Sequence, residues 1–158
     1  RCGRRRIAFL QGLPGNEDSH WREMSYRQSL AAHGLTFDPR LVARGDYTEA
    51  SAMQAVQQWL AADLTFDAVF TGDDFAAIGV ISALSKAGIG VPEQVSVVGF
   101  DDVDVARHFN PPLTTVRSPI DEAGHWAAEL LMQLIRTGAA ESVMLPTELV
   151  VRKSCGSM

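Results

Sequence analysis

The sequence has 158 residues, of which 46% are hydrophobic and 21% are charged, and its formal net charge is −5 at pH 7. This size and composition are typical of one globular domain, large enough to bury a core without disulfide bonds or metal ions. Two classes of protein are disfavoured. No apolar run approaches the roughly 20 residues of a membrane-spanning helix, and 14 basic residues against 19 acidic ones leave no cationic excess for binding DNA phosphates.

Short apolar runs alternate with longer segments of helical periodicity along the chain. The predicted strands cover residues 7–10, 41–43, 68–71, 95–100, 113–116 and 149–151. The predicted helices cover about residues 19–33, 48–60, 73–86 and 119–137. This alternation predicts an α/β fold in which a parallel sheet carries helices on both faces. Ligands bind such sheets beyond the carboxyl ends of the strands, so the candidate binding loops follow residues 10, 43, 70, 100 and 116.

Two of these loops carry paired acids, at residues 73–74 and 101–102. Paired carboxylates at strand ends can hold Mg²⁺, accept a phosphoryl group or contact a polar ligand. The phosphoryl interpretation is weak, because the two lysines, Lys86 and Lys153, fall at a helix end and in the C-terminal tail. A structural alternative is that Asp73 or Asp74 only caps the following helix. Capping and ligand binding both remain open for this loop.

Arg22 lies near the start of the first predicted helix, close to the same edge of the sheet. Its guanidinium could grip hydroxyl groups or a carboxylate, although a solvated surface arginine is the more common case. The four histidines form no metal motif, and no sequence motif assembles a nucleophile with a base. The residues therefore disfavour an enzyme, and we expect neither a metal nor a cofactor.

Two helices carry further signals. Ser118 is predicted to cap the helix that follows it, with Pro119 in the first helical position. Residues 75–84 are apolar on nearly every side, so this helix must be covered on every side. A second subunit or a neighbouring helix of the same chain could cover it.

The ends of the chain bear on the cellular compartment. Cys2 and Cys155 match no metal-ligand spacing and are too few for a disulfide scaffold. The basic start of the chain leads into a strand-like run and lacks the longer apolar stretch of a signal peptide. We therefore expect a reduced, cytoplasmic protein.

Seven stretches, taken together, resemble the LacI/GalR family of bacterial transcription regulators. They are residues 5–10 (RRIAFL), 22–30 (REMSYRQSL), 66–70 (FDAVF), 72–79 (GDDFAAIG), 91–102 (VPEQVSVVGFDD), 111–116 (PPLTTV) and 148–152 (ELVVR). Their order and spacing extend the resemblance from Arg5 to Gly156.

The resemblance implies a two-lobed core of the periplasmic-binding-protein-like type I fold, which binds a sugar or purine-like effector between its lobes and forms a homodimer. Residues 5–117 and 145–156 would form the C-terminal lobe, and the helix within residues 118–140 would belong to an N-terminal lobe that is otherwise missing. The family's DNA-binding helix-turn-helix is also absent, so operator DNA would be bound only through that missing domain. We expect effector binding by this chain alone to be weak or undetectable by calorimetry, and the face at residues 130–134 to pack on a non-native partner or on a symmetry mate.

By position, six residues fall on effector contacts of the family: Arg22, Asp101, Asp73, Tyr47, Asp18 and Ser118. Arg22 matches an arginine that binds the effector in the family. Asp101 matches the effector-binding acid of the family's Gly-Phe/Tyr-Asp-Asp motif. Asp73 stands where many members carry asparagine. An ionised carboxylate only accepts hydrogen bonds, so this departure favours a hydroxyl-rich or cationic effector. The dimer interface is assigned to Ile78, Phe109, Phe75 and Ile81.

Three hypotheses for the function of the protein remain open. The first is the effector-sensing and dimerisation portion of a transcription regulator, which the family resemblance implies to be a repressor. The stretch at residues 111–116 favours this hypothesis. The second is a sugar-binding protein of a transport system with the same fold. The third is a small enzyme that uses the two Asp pairs, which would need a divalent metal.

Overall fold

A computed structural model describes residues 3–156 and contains one six-stranded sheet in the order β2-β1-β3-β4-β5-β6. Cys2 lies outside the described residues. The strands are β1 (Ile7–Leu10), β2 (Val42–Ala43), β3 (Ala68–Thr71), β4 (Ser96–Asp101), β5 (Thr114–Arg117) and β6 (Glu148–Val150). The helices are α1 (Glu17–Ala32), α2 (Glu49–Ala61), α3 (Asp74–Lys86), α4 (Asp104–His108) and α5 (Ile120–Thr137).

The direction of the strands confirms most of the predicted sheet. β1 to β5 run parallel to one another. β6 pairs antiparallel with β5, with Val116 opposite Leu149, so the prediction of a wholly parallel sheet is wrong for the last strand. A parallel strand would require the chain to cross back over a face of the sheet. α5 buries no residue against that face, and the chain instead re-enters at the edge from which β5 leaves.

Helices cover both faces of the sheet, as predicted. The main core lies between the sheet and the pair α2 and α3. These two helices approach closely at Gly79, where a Cβ atom would come within 2.5 Å of the Glu49 carbonyl oxygen. On the opposite face, α1 packs through Tyr26, whose ring stacks on Phe9 at 5.1 Å and whose hydroxyl donates to the Ile7 carbonyl at 2.7 Å.

The all-apolar helix α3 is covered mainly by its own chain. Ile78 and Ile81 are only 5% and 4% exposed, whereas Phe75 is 47% exposed. The alternative of a neighbouring helix within the chain therefore accounts for most of the pattern. The assignment of Ile78 and Ile81 to a dimer interface stays a prediction for which little surface is available.

α5 stands apart from the core, since none of its residues is buried. Its large apolar side chains are exposed at Ile120, Trp126, Leu131, Met132, Leu134 and Ile135. The predicted cap at Ser118 is wrong. Pro119 is the N-cap residue and no side chain caps this helix. The Ser118 carbonyl instead accepts from the Ile120 amide at 2.8 Å in a tight turn.

Candidate ligand-binding site at the carboxyl edge of the sheet

A cleft lies at the carboxyl ends of the first four strands, where the parallel topology predicts a binding site. Its lining residues are Asn16, Asp18, Arg22, Tyr47, Gly72, Asp73 and Asp101. Five of the six predicted ligand contacts thus come together from four separate parts of the chain. Ser118, between β5 and α5, lies outside this lining, and its contact with a ligand stays a prediction.

Tyr47 forms an aromatic wall of the cleft. It adopts a positive φ of 66°, an uncommon conformation for a residue other than glycine. Gly12 and Gly72 leave room for its ring, because a Cβ atom at either position would lie 1.9 Å or 3.0 Å from ring atoms. Its hydroxyl donates to Oδ1 of Asn16 at 3.0 Å. The ring is therefore fixed by the loops that follow β1 and β3.

Asn16 was not anticipated as a site residue. Its Oδ1 also accepts from the Ser19 amide at 2.9 Å and so caps α1. A polar residue between Gly15 and a helix start, in a loop that follows a strand, could have been selected by the strand-end rule that found the Asp pairs. Gly72 was missed because a glycine carries no side-chain signal for ligand contact.

The Arg22 side chain is oriented by a neighbouring ring, and its N–H donors are not used. Its guanidinium carbon lies 4.2 Å from the centre of the Phe100 ring, a cation–π contact that orients the group without using its N–H donors. Among the described residues it makes no ion pair and no side-chain hydrogen bond. This half-buried guanidinium is therefore available to a ligand in the cleft.

Asp73 both caps a helix and lines the cleft. Its Oδ1 caps α3 by accepting from the Ala76 amide at 2.8 Å. No described residue donates to its Oδ2, although the side chain lines the cleft and the residue is only 8% exposed. Burial, with a smaller contribution from Asp101, raises the pKa of the Asp73 carboxyl to about 6. A second oxygen of this carboxylate thus remains free to accept from a ligand.

Asp74, next along the chain, is structural. It is fully buried beneath Gly99, and its carboxylate accepts from the Thr115 hydroxyl at 2.5 Å and from the Val103 amide at 2.9 Å. The expected capping of α3 is confirmed for Asp73 and wrong for Asp74, since Asp73 is the N-cap residue. Burial raises the pKa of the Asp74 carboxyl above its usual value. Its contacts join α3 to β5 and to the start of α4.

In the second Asp pair, too, one acid is structural and the other lines the cleft. Asp101 and Asp102 have positive φ values of 106° and 58°. The Asp102 carboxylate accepts from Arg152 at 2.5 Å and from Arg117 at 2.8 Å. Burial opposes these contacts, but the two guanidinium groups outweigh it and lower the pKa of the Asp102 carboxyl.

Asp101 lines the cleft, and no described residue donates to its carboxylate. Burial raises the pKa of this carboxyl, while nearby Arg22 opposes the rise. Two adjacent left-handed residues other than glycine are uncommon, and such strain concentrates at binding sites. The ion pairs of Asp102 therefore hold a conformation that leaves the Asp101 carboxylate free.

The described residues 3–156 contain no group of three or more His, Cys, Asp and Glu side chains that could hold a metal ion. Within the same residues, no helix combines the length and apolar character needed to cross a membrane.

Comparison with known proteins identifies the family. The model of the family described as periplasmic binding protein-like domain matches residues 1–155. The chain belongs to this family. The HTH-type transcriptional regulator CelR of Thermobifida fusca is 38% identical over 154 residues, covering 96% of this chain and 45% of CelR. The HTH-type transcriptional repressor CytR of Escherichia coli K12 is 36% identical over 155 residues, with the same coverage of 96% and 45%.

Solved structures agree with this assignment to the periplasmic binding protein-like family. A structure of a CelR–cellobiose complex superposes with a TM-score of 0.88 at 38% identity, covering 96% of this chain and 47% of that one. The resemblance to the effector-binding core of LacI/GalR regulators and the predicted fold are therefore confirmed. The chain spans less than half the length of these two curated relatives.

The raised pKa of Asp73 predicts a pH-dependent cost in stability. The unfolded carboxyl, with its usual pKa of 3.8, ionises at lower pH than the folded one, with a pKa of about 6. The folded state therefore holds more protons between these values, and this residue's contribution to stability falls as pH rises through that window. We expect Asp73→Asn to raise the free energy of unfolding by about 2 kcal/mol at pH 7.5 and by much less at pH 4.

Urea unfolding at the two pH values measures this difference. Asp46→Asn is a control in which the pKa shift has the opposite sign, because hydrogen bonds with Ser51 and Thr48 lower the pKa of the Asp46 carboxyl. Its stabilising contribution is present above the unfolded pKa and is lost as pH falls. A stabilisation by Asp73→Asn that did not change with pH would contradict the assigned origin.

Proposed function

We propose that this chain is the effector-sensing and dimerisation portion of a bacterial transcription regulator. It binds a small molecule, a sugar, in the cleft, and this binding controls operator DNA through a helix-turn-helix domain of the intact protein. The observation that carries the proposal is the cleft of Arg22, Tyr47, Asp73 and Asp101, with donors and acceptors left unused. Relatives named as HTH-type regulators, one of them solved with cellobiose, support it and do not favour a transport protein.

The chemistry of the cleft suits a ligand rich in hydroxyl groups. Arg22 only donates hydrogen bonds, whereas the carboxylates of Asp73 and Asp101 only accept them. A hydroxyl group does both, so neighbouring hydroxyls of one sugar can satisfy the guanidinium and a carboxylate together. The Tyr47 ring adds an apolar surface of the kind that lines small-molecule sites. No bond needs to be made or broken, which agrees with relatives that are regulators and not enzymes.

Control of DNA binding requires two conformations with different affinities for the ligand. We infer that residues 5–117 and 145–156 form one lobe and that the helix within residues 118–140 packs in a second lobe. The exposed apolar side chains of α5 support this division. Closure of two lobes around the ligand would supply the different contacts in the two states. The intact regulator would act in the cytoplasm, where its operator lies.

Titration of the isotope-labelled chain by NMR tests ligand binding, because the method detects weak complexes. Probes are cellobiose and glucose, and the amide signals of Gly12, Gly72 and Asp101 report on the cleft. We expect at least one probe to shift these signals and Arg22→Met to weaken its binding by about tenfold or more. Arg107→Met removes an exposed guanidinium elsewhere and should change nothing. Shifts confined to other regions, or equal affinity in Arg22→Met, would contradict the proposal.

We also propose that the regulator is a homodimer. Phe75 on α3 and Val105 on α4 are 47% and 39% exposed, and the Asp74–Val103 hydrogen bond brings the starts of these two helices together. Phe109, the other predicted interface residue, is half-buried beside them. An apolar patch of this kind suits a subunit contact.

Phe75→Glu places a charge in this patch and is expected to shift the chain from dimer to monomer. Light scattering after size exclusion measures the mass over a range of concentrations. Val143→Glu, an exposed apolar site far along the chain, serves as the matched control and should leave the mass unchanged. If the Phe75→Glu chain has the same mass as the parent dimer, the prediction that this patch forms the interface is wrong.

A further inference from the structure

The charges that line the cleft do not balance. Asp18, Asp73 and Asp101 contribute three carboxylates, and Arg22 contributes one guanidinium. The nearby Arg117 and Arg152 do not compensate, because both are engaged by the Asp102 carboxylate. The remaining lining residues are Asn16, Tyr47 and Gly72, all uncharged. The cleft therefore offers more negative charge than its own arginine can neutralise.

The most buried of these acids faces the cleft with an unused oxygen. Asp73 is 8% exposed, its Oδ1 is occupied by the Ala76 amide, and no described residue donates to its Oδ2. No fully buried side-chain oxygen of the described residues lacks a hydrogen-bond partner, so Oδ2 of Asp73 is accessible from the cleft that this residue lines. A neutral hydroxyl could donate one hydrogen bond to this oxygen. A protonated amine supplies up to three donors together with a positive charge, and charge-assisted hydrogen bonds are the stronger kind.

We infer that the cleft selects ligands that carry a basic nitrogen, such as an amino sugar or a polyhydroxylated amine, over neutral sugars of the same shape. The inference rests on the proposed function, since it names the ligand class of the same cleft. Among residues 3–156, no group of three or more His, Cys, Asp and Glu side chains could hold a metal ion, and the cation that we infer is an organic one. Arg22 remains available for the hydroxyl groups of the same ligand, and an anionic sugar would meet the surplus carboxylates.

Matched sugars test this selection by NMR titration of the chain at pH 7. Glucosamine is compared with glucose and galactosamine with galactose, pairs that differ only in an amino group, and glucuronate serves as the anionic probe. We expect the amino sugar of at least one pair to bind about tenfold more tightly than its neutral partner, and glucuronate to bind least. Asp73→Asn should reduce this preference to about twofold, since the neutral amide loses the charge.

Glu141→Gln is the matched control, because it removes one negative charge in an exposed segment away from the cleft. It should preserve the preference of the parent chain. Equal affinity for both members of each pair would overturn the inference while leaving the proposed function standing. An unchanged preference in Asp73→Asn would also overturn it. Failure of every probe, including the neutral sugars, to shift the signals of Gly12, Gly72 and Asp101 would overturn the proposed function as well.

Discussion

Gly99→Ala is expected to lower the free energy of unfolding by about 3 kcal/mol. A Cβ atom at this position in β4 would lie 2.2 Å from Oδ1 of Asp74 and 3.0 Å from a methyl carbon of Leu113. Both neighbours are fully buried, so neither can move into solvent. Displacing the carboxylate would stretch its hydrogen bonds to Thr115 and Val103, and would leave a buried carboxylate poorly satisfied.

Urea unfolding of the chain measures this loss. Gly124→Ala is the matched control, since it makes the same chemical change in α5, where a Cβ atom would meet nothing within 4 Å. Alanine is a better helix former than glycine, so this control should be neutral or stabilising by up to about 1 kcal/mol. A loss below about 1 kcal/mol in Gly99→Ala would mean that Asp74 can relax without losing its partners.

Asp102→Ala is expected to cost about 3 kcal/mol and to weaken ligand binding in the cleft. The Asp102 side chain is 2% exposed and its partner Arg152 is 14% exposed, so truncation would leave a largely buried guanidinium without its carboxylate. Arg117 would keep only its contact with Glu148 at 3.1 Å. The left-handed backbone at Asp101 and Asp102 would lose the ion pairs that hold it, and the Asp101 carboxylate would no longer be fixed.

The pH dependence of unfolding separates this cause from a simple packing defect. The folded pKa of Asp102 is lowered, so its stabilisation is present above the unfolded pKa and is lost as pH falls through the folded pKa. The difference between Asp102→Ala and the parent chain should therefore shrink in acid. Asp104→Ala, which removes an exposed carboxylate paired with Arg107, should have little effect on unfolding or on ligand binding. A constant difference across this range would contradict the ion-pair origin.

Local patterns predicted much of this fold because most of the strands are short apolar runs that end at or near a glycine, a proline or an acid. β1 and β3 span the predicted residues, and the other four strands differ by one position at their ends. In a parallel sheet, the strand-end rule brought both Asp pairs, at residues 73–74 and 101–102, to one edge. The family resemblance then selected Asp73 and Asp101 and added Tyr47 and Asp18, which no periodicity selects.

The errors arose where the outcome depends on distant contacts. The antiparallel direction of β6 depends on where α5 leads the chain, and its apolar stripe does not reveal whether that helix packs on this sheet. The expected cap at Ser118 followed a sound local preference, but the turn formed with Ile120 uses the backbone carbonyl and leaves the hydroxyl out of the cap.

The sequence by itself determined the order of strands and helices, the edge of the sheet that would carry a site, and the presence of an Asp pair at each of two strand ends. The family resemblance selected Asp73 and Asp101, and only the tertiary structure supplies the physical reason why this acid of each pair faces the cleft. Asp74 is drawn inward by Thr115 and the space above it at Gly99, and Asp102 by two arginines. Neighbouring residues at a strand end point in different directions, and only partners distant in sequence determine which of them remains free to bind.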